Sequence, residues 1–243
     1  MQELIEKIYD SINVVIPVYN ERENIKKTLD EIEGKIKTSH IIFFVYDFDE
    51  DNTIPIVKNF QKNNNSNIVL VKNKYGKGVL NAIKTGFETV EGGIVLVVMA
   101  DLSDDLSTVD EMFREINNGY DLVCGSRYMK GGKQIGGPWF KKLLSRAAGV
   151  SLNYLVGIPT HDVTNSFKMY KMNILNDITI ESNGGFELGM EIVVKAWIKG
   201  YKITEVPSVW RDRCAGESRF MLVKWLPKYI HWYLLAVKNV FSM

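Results

Sequence analysis

Short apolar runs alternate with stretches of helical period through the first half of the chain. Residues 12–18 are a β-branched run that predicts a first strand; the periodic stretch after it predicts a helix to about residue 36, with Asn20 and Glu23 spaced as a capping box. Residues 40–46 predict a second strand and 53–60 the start of its helix, before the polar break Asn63-Asn64-Asn65-Ser66. A strand over 68–72, a helix over 76–87, a strand over 94–100, a helix over 107–116 and a strand over 122–125 continue the pattern. Such alternation implies an α/β fold with a mostly parallel sheet and helices on both faces. The pattern changes at the glycine-rich residues 131–138, a boundary or a lid. A helix over 139–155, a short strand over 166–170, a helix over 186–199 and a strand over 202–206 ended by Pro207 follow. No long polar linker interrupts them, so residues 1–220 are expected as one domain and 221–243 as an amphipathic helical appendage.

The fourth apolar run, residues 94–100, is continuous, as in a strand buried on both faces, and it ends in Asp101. Open α/β sheets place ligands at the carboxyl ends of their strands, so Asp101 stands where chemistry is expected. A carboxylate there can hold a divalent ion against a nucleotide diphosphate; a turn or capping aspartate is the alternative. The other strand ends carry Pro17-Val18-Tyr19-Asn20-Glu21, Asp47-Phe48-Asp49-Glu50-Asp51 and Gly76-Lys77-Gly78. The last is not a dinucleotide fingerprint, because the run continues Val79-Leu80-Asn81, and the first βα turn has no glycine, which argues against a nicotinamide-dependent oxidoreductase.

Composition narrows the partners. With 243 residues, 46% of them hydrophobic, the chain can bury a full core. Thirty basic against 29 acidic residues leave a net charge of +1, which offers no global field to nucleic acid. Cys124 and Cys214 supply neither a disulfide framework nor a metal cluster, and residues 1–7 lack the features of a signal peptide; both point to the cytoplasm. No apolar run reaches the roughly 20 residues of a membrane-spanning helix. The nearest is 229–237, between Lys228 and Lys238. Trp225, Tyr229, Trp232 and Tyr233, with Lys224, Lys228 and Lys238, suit either an interfacial helix on a membrane surface or a terminal helix docked on the core.

Taken in order, Pro17-Val18-Tyr19-Asn20-Glu21, Asp47 with Asp51, Gly76-Lys77-Gly78, Met99-Ala100-Asp101-Leu102-Ser103, Gly125-Ser126-Arg127-Tyr128, Asp162-Val163-Thr164-Asn165-Ser166-Phe167-Lys168 and Gly216-Glu217-Ser218-Arg219 carry a family likeness. The chain resembles the family 2 inverting glycosyltransferases, and among them the group acting on polyprenyl phosphates, such as dolichyl-phosphate mannosyltransferases. The resemblance implies a Rossmann-like fold of the A type and transfer of a mannose- or glucose-type hexose from a nucleotide-diphosphate sugar to a polyprenyl phosphate at the cytoplasmic membrane face. It places Pro17, Tyr19, Glu21, Val45 and Asp47 on the donor base and ribose, and Ala100 and Asp101 beside its diphosphate. It places Arg127, Arg213 and Arg219 near phosphate groups, and Lys141 and Ser145 at the acceptor phosphate. Asp101, Arg127, Lys141 and Ser145 are the implied catalytic set. Asp101 matches the last carboxylate of the family's Asp-Ala-Asp motif for Mg2+ or Mn2+, with Ser103 as a second ligand position. Met99 stands in the place of the first aspartate, and a thioether is a poor ligand for either ion.

A phosphate monoester carries about −1.5 to −2 charges at neutral pH, so such an acceptor needs positioning rather than a general base. His161-Asp162 is the one candidate dyad, and adjacent residues of an extended segment face opposite ways, which makes it structural. Two other readings remain at this point. A same-fold transferase acting on a glycan or protein hydroxyl would need a base, and a non-catalytic nucleotide-sugar sensor would explain Met99.

Overall fold

The computed structural model describes residues 9–64, 67–213 and 222–240. Chain order runs β1 (Ser11–Val18), α1 (Ile25–Lys35), β2 (Ser39–Tyr46), α2 (Ile54–Asn64), β3 (Ile68–Lys72), α3 (Val79–Thr89) and β4 (Ile94–Val97). It continues with α4 (Val109–Asn117), β5 (Leu122–Ser126), β6 (Lys133–Ile135), α5 (Trp139–Val156), β7 (Lys168–Lys171), α6 (Met172–Asp177), α7 (Leu188–Ile198), β8 (Ile203–Pro207), β9 (Val209–Arg211) and α8 (Leu222–Val240). Seven strands form one sheet in the order β3-β2-β1-β4-β7-β5-β8, while β6 pairs with β9 apart from it. All neighbours in the large sheet are parallel except β7, which runs antiparallel between β4 and β5.

The period of two along β1 sorts its side chains between two cores. Ile12, Val14 and Ile16 pack with Ile25, Leu29 and Ile32 of α1 and Met112 and Ile116 of α4. Val15 faces the other way, with Val95 and Val97, onto Leu80, Ile83 and Phe87 of α3 and the apolar α7. At Gly86 a Cβ would lie 2.4 Å from Val15 Cγ1, so α3 sits on β1 at a distance only glycine allows. Helices on both faces of a mostly parallel sheet match the expectation from sequence.

Several details differ. The first helix begins at Ile25, and Asn20 is no cap: its φ is 55° and its N–H donates to Asp51 Oδ2 at 3.0 Å. Glu21 N–H donates to Thr53 Oγ1 at 2.9 Å, so residues 20–21 turn toward the end of β2 before the helix can start. β4 stops at Val97 because the Met99 N–H is taken by the Asp104 carboxylate at 2.9 Å instead of a neighbouring strand. The glycine-rich residues 131–138 contain β6, and α6 is a short helix the pattern did not predict.

α8 is an element of the core. Trp225 and Trp232 are buried, as is Ala236, and the Lys195 ammonium of α7 sits 4.9 Å above the Trp232 ring. Of the two readings of this helix, Trp225 and Trp232 follow the one docked on the core: both rings are used in packing and not on a membrane surface. Residue 220, the expected boundary, lies outside the described residues, and α8 beyond it packs against α5 and α7.

Candidate active site

A cavity of 1230 Å³ opens beyond the carboxyl ends of β1, β2, β4 and β5. Pro17, Tyr19, Glu21, Asp47, Ala100, Asp101, Ser103, Arg127, Lys141, Ser145 and Arg213 all line it, so chain turns far apart in sequence are brought together as expected. Val45 is the exception. It is the last residue but one of β2, fully buried in the core cluster with Val15 and Val97, and its side chain does not line the cavity. Arg219, with the Gly216-Glu217-Ser218-Arg219 motif, lies outside the described residues.

One end of the cavity is bordered by Tyr19, Asp47 and Gly78. Tyr19 and Phe48 meet edge to face at 5.4 Å, and Lys77 lies 5.2 Å over the Phe48 ring. Asp47 accepts from Asn73 Nδ2 at 2.7 Å and from the Gly78 N–H at 3.0 Å. Its carboxylate thereby pins the Gly76-Lys77-Gly78 turn, in which Gly78 has a φ of 130° that only glycine adopts readily.

Further in lies the turn after β4. Asp101 Oδ1 accepts the Ser103 N–H at 3.1 Å, Oδ2 accepts from Arg213 at 2.8 Å, and Leu102 between them holds a φ of 64°. A leucine in that region stores strain, which is common where a turn is shaped for a ligand. Asp104 points inward onto the Met99 N–H, and burial, reinforced by the Asp101 charge, pushes its pKa up to about 7. The folded protein therefore keeps a proton that the unfolded chain has released, and stability should fall as pH rises from about 4 to 7. Asp104→Asn should flatten that slope in urea titrations across the range; an unchanged slope would show that another group causes it.

Residues present here do not suit a divalent ion. Among the described residues no three His, Cys, Asp or Glu side chains converge on one point. Met99 offers sulfur, Asp101 is engaged through both oxygens and the Asp104 carboxylate is turned away onto backbone.

The inner end centres on Arg127. Its Nε and Nη2 grip Asp162 at 2.7 and 2.8 Å, and its own backbone N–H donates to the same carboxylate at 3.0 Å. Nη2 also reaches Ser145 Oγ at 2.9 Å and Thr164 Oγ1 at 3.0 Å, while Tyr128 Oη lies 2.9 Å from Ser145 Oγ. Burial alone would push the Asp162 pKa up, but Arg127 outweighs it and holds the carboxyl below its ordinary value. The arginine expected on phosphate is thus first a partner for a buried carboxylate, and it sets Ser145 and Thr164 toward the cavity.

From sequence Asp162 is structural and Thr164 has no assigned role; the pairing of Gly-Ser-Arg with an aspartate 35 residues on is visible only in three dimensions. Buried Lys168 completes this loop by donating to the carbonyls of Val163 and Asn165. His161 and Asp162 face apart as expected, His161 Nδ1 lying 2.5 Å from Glu205.

A mostly parallel sheet with one antiparallel insertion, carrying carboxylates and a glycine turn around a cavity at its strand ends, defines a glycosyltransferase fold of the A type. Residues 13–179 match the model described as Glycosyl transferase family 2, and the chain belongs to that family. It is 29% identical over 213 residues to a dolichol-phosphate mannosyltransferase of Pyrococcus furiosus, covering 86% of this chain but 58% of the relative. To a polyprenol monophosphomannose synthase of Mycolicibacterium smegmatis it is 28% identical over 211 residues, covering 85% of this chain and 79% of the relative. The fold is shared with glucosyl-3-phosphoglycerate synthase of Mycobacterium tuberculosis, solved with Mn2+, uridine diphosphate and glucosyl-3-phosphoglycerate, at a TM-score of 0.63 and 15% identity, covering 98% of this chain and 83% of that one.

Proposed function

We propose that the protein transfers a hexose, with inversion, from a nucleotide-diphosphate sugar to a polyprenyl phosphate, as a peripheral protein at the cytoplasmic face of a membrane. The observation that carries this reading is the continuity of the cavity: it runs from Asp47 and Asp101 past Lys141 and Ser145 to Leu144 and Ile230, which are part of an exposed apolar face. Family membership and the names of the Pyrococcus and Mycolicibacterium relatives support the same donor and acceptor classes.

In the reaction, an acceptor phosphate oxygen bonds to the anomeric carbon while the bond from that carbon to the donor's β-phosphate oxygen breaks, its electron pair leaving with the nucleoside diphosphate. No proton need move at the acceptor, since the phosphate already carries about −1.5 to −2 charges. Lys141 and the Ser145 hydroxyl, held by Arg127, Thr164 and Tyr128, then serve to orient that phosphate. A hydroxyl acceptor would call for a base, yet Glu21, Asp47 and Asp101 each already accept hydrogen bonds from the protein. Incubation with labelled UDP- and GDP-hexoses and a polyprenyl phosphate in detergent should move label into an organic-soluble, acid-labile product. Label recovered only in glycan or protein would overturn the assignment.

The membrane contact we assign to α5 as much as to α8. Trp139, Phe140, Leu143 and Leu155 of α5 and Ile230 and Leu234 of α8 are exposed, with Trp139 at 75% and Leu143 at 58%. No described helix is long and apolar enough to cross a membrane, so this face would rest in the interface. The double variant Trp139→Ser, Leu143→Ser should lose binding to anionic vesicles and turnover on long-chain acceptor while keeping turnover on a short soluble analogue. Undiminished vesicle binding would remove α5 from the contact.

A further inference from the structure

We propose that Arg213, held by Asp101, provides the cationic contact to the donor diphosphate in place of a divalent ion, so that nucleotide binding and transfer proceed without metal. The inference rests on the transferase reading above and concerns how that reading's donor site is charged.

Three independent features of the turn after β4 lead to it. Met99, where an oxygen ligand would be needed, is a thioether packed partly into the core beneath α3 and α7, and sulfur is a poor partner for Mg2+ or Mn2+. Asp104, three residues on from Asp101, is buried with its oxygen on the Met99 N–H, so it faces the backbone. Asp101 remains, and its two oxygens are held by the Ser103 N–H at 3.1 Å and by Arg213 at 2.8 Å. The Arg213 and Asp101 side chains are only 24% and 12% exposed, so an ion entering at Asp101 would have to displace a largely desolvated guanidinium.

The placement of Arg213 is built into the fold. Two residues before it, the Arg211 N–H donates to the Ser103 carbonyl at 3.0 Å, tying β9 to the very turn that carries Asp101. The Asp212 N–H donates to the Ile135 carbonyl at 2.9 Å and continues the β6 to β9 pairing, and both Asp212 and Arg213 line the cavity. Backbone bonds from the two residues that precede Arg213 therefore hold it beside the turn that carries Asp101. A guanidinium is planar and permanently charged, with a fork of N–H donors that suits phosphate oxygens, and this one lines the cavity while donating to Asp101. An ammonium in the same place would have no such fork.

The test is nucleotide binding by calorimetry, with UDP and GDP as probes, on the full chain after exhaustive EDTA treatment and again with added Mn2+. The nucleotide that binds should do so with the same Kd, within about twofold, in both conditions. Arg213→Ala should weaken it about tenfold or more, the order of one lost charge-assisted contact, and Arg213→Lys should recover only part. The double variant Met99→Asp, Arg213→Ala should regain affinity only when Mn2+ is present. Circular dichroism of each variant separates lost binding from lost folding. Wild-type binding that vanishes in EDTA and returns with Mn2+ would overturn the proposal, as would an Arg213→Ala variant that binds like wild type. Binding of neither nucleotide in either condition would instead bring down the transferase reading, and this inference with it.

Discussion

Arg127→Ala is expected to destabilise the protein by about 3–5 kcal/mol, more than the loss of a single substrate contact would suggest. Asp162 is fully buried, and its carboxylate is held by the Arg127 Nε, Nη2 and backbone N–H. Removing the guanidinium leaves a buried charge with only the Arg127 and Asn165 N–H groups, the Thr164 hydroxyl and Lys168 to compensate it. Urea unfolding should show the effect, and the double variant Arg127→Ala, Asp162→Asn should recover a good part of it, because the stranded charge is then gone. A single variant with wild-type stability would mean that Asp162 finds another partner. Activity lost in Arg127→Ala says nothing about phosphate until this structural effect has been measured.

Trp232→Ala should cost a comparable amount, about 3–5 kcal/mol for a large aromatic removed from a packed core. Its indole is 3% exposed, lies in the same core cluster as α7 and stacks under the Lys195 ammonium, which also pairs with the buried Glu191. Leu234→Ala, two residues away on the same helix but 57% exposed, should change stability by no more than about 0.5 kcal/mol. If Trp232 served lipid binding, the order would invert, with unchanged stability and reduced vesicle binding for Trp232→Ala. Thermal or urea unfolding of the two variants decides it.

Much of this was legible in the sequence because the physics is local. The β-branched run of residues 12–18 and the unbroken apolar run leading to Asp101 fix strands and their ends within a few residues. The turns after those strands could then be read as one cavity wall. What escaped was set by contacts distant in sequence. Asn20 looks like a helix cap until Asp51, from the next strand's loop, claims its N–H. Val45 is two residues before Asp47, but it still lies within β2 and its side chain is enclosed in the core, while Asp47 stands just past the strand end. The two tryptophans of α8 have the composition of a membrane anchor, and only the packing of α5 and α7 shows that they are enclosed while Trp139 and Leu143 are not. The Arg213 to Asp101 pair spans 112 positions, a separation at which no pattern in the sequence speaks.

The antiparallel β7 also governs how the chain can be made. When residues 1–126 have left the ribosome, β1 to β4 can already pair, but β5 has no neighbour, since both of its partners, β7 and β8, are still to come. Until residues 168–171 emerge, the edge of β4 and both edges of β5 present unpaired backbone beside fully buried-type side chains such as Leu96 and Val123. Closing the gap requires a segment made more than 40 residues after β5 to slide between two strands already present, a non-local and slow step. Nascent chains stalled before β7 are therefore the species most prone to join edges with one another. Defects in Met169 or Tyr170 will register as poor yield of folded protein, far from the cavity where activity is measured.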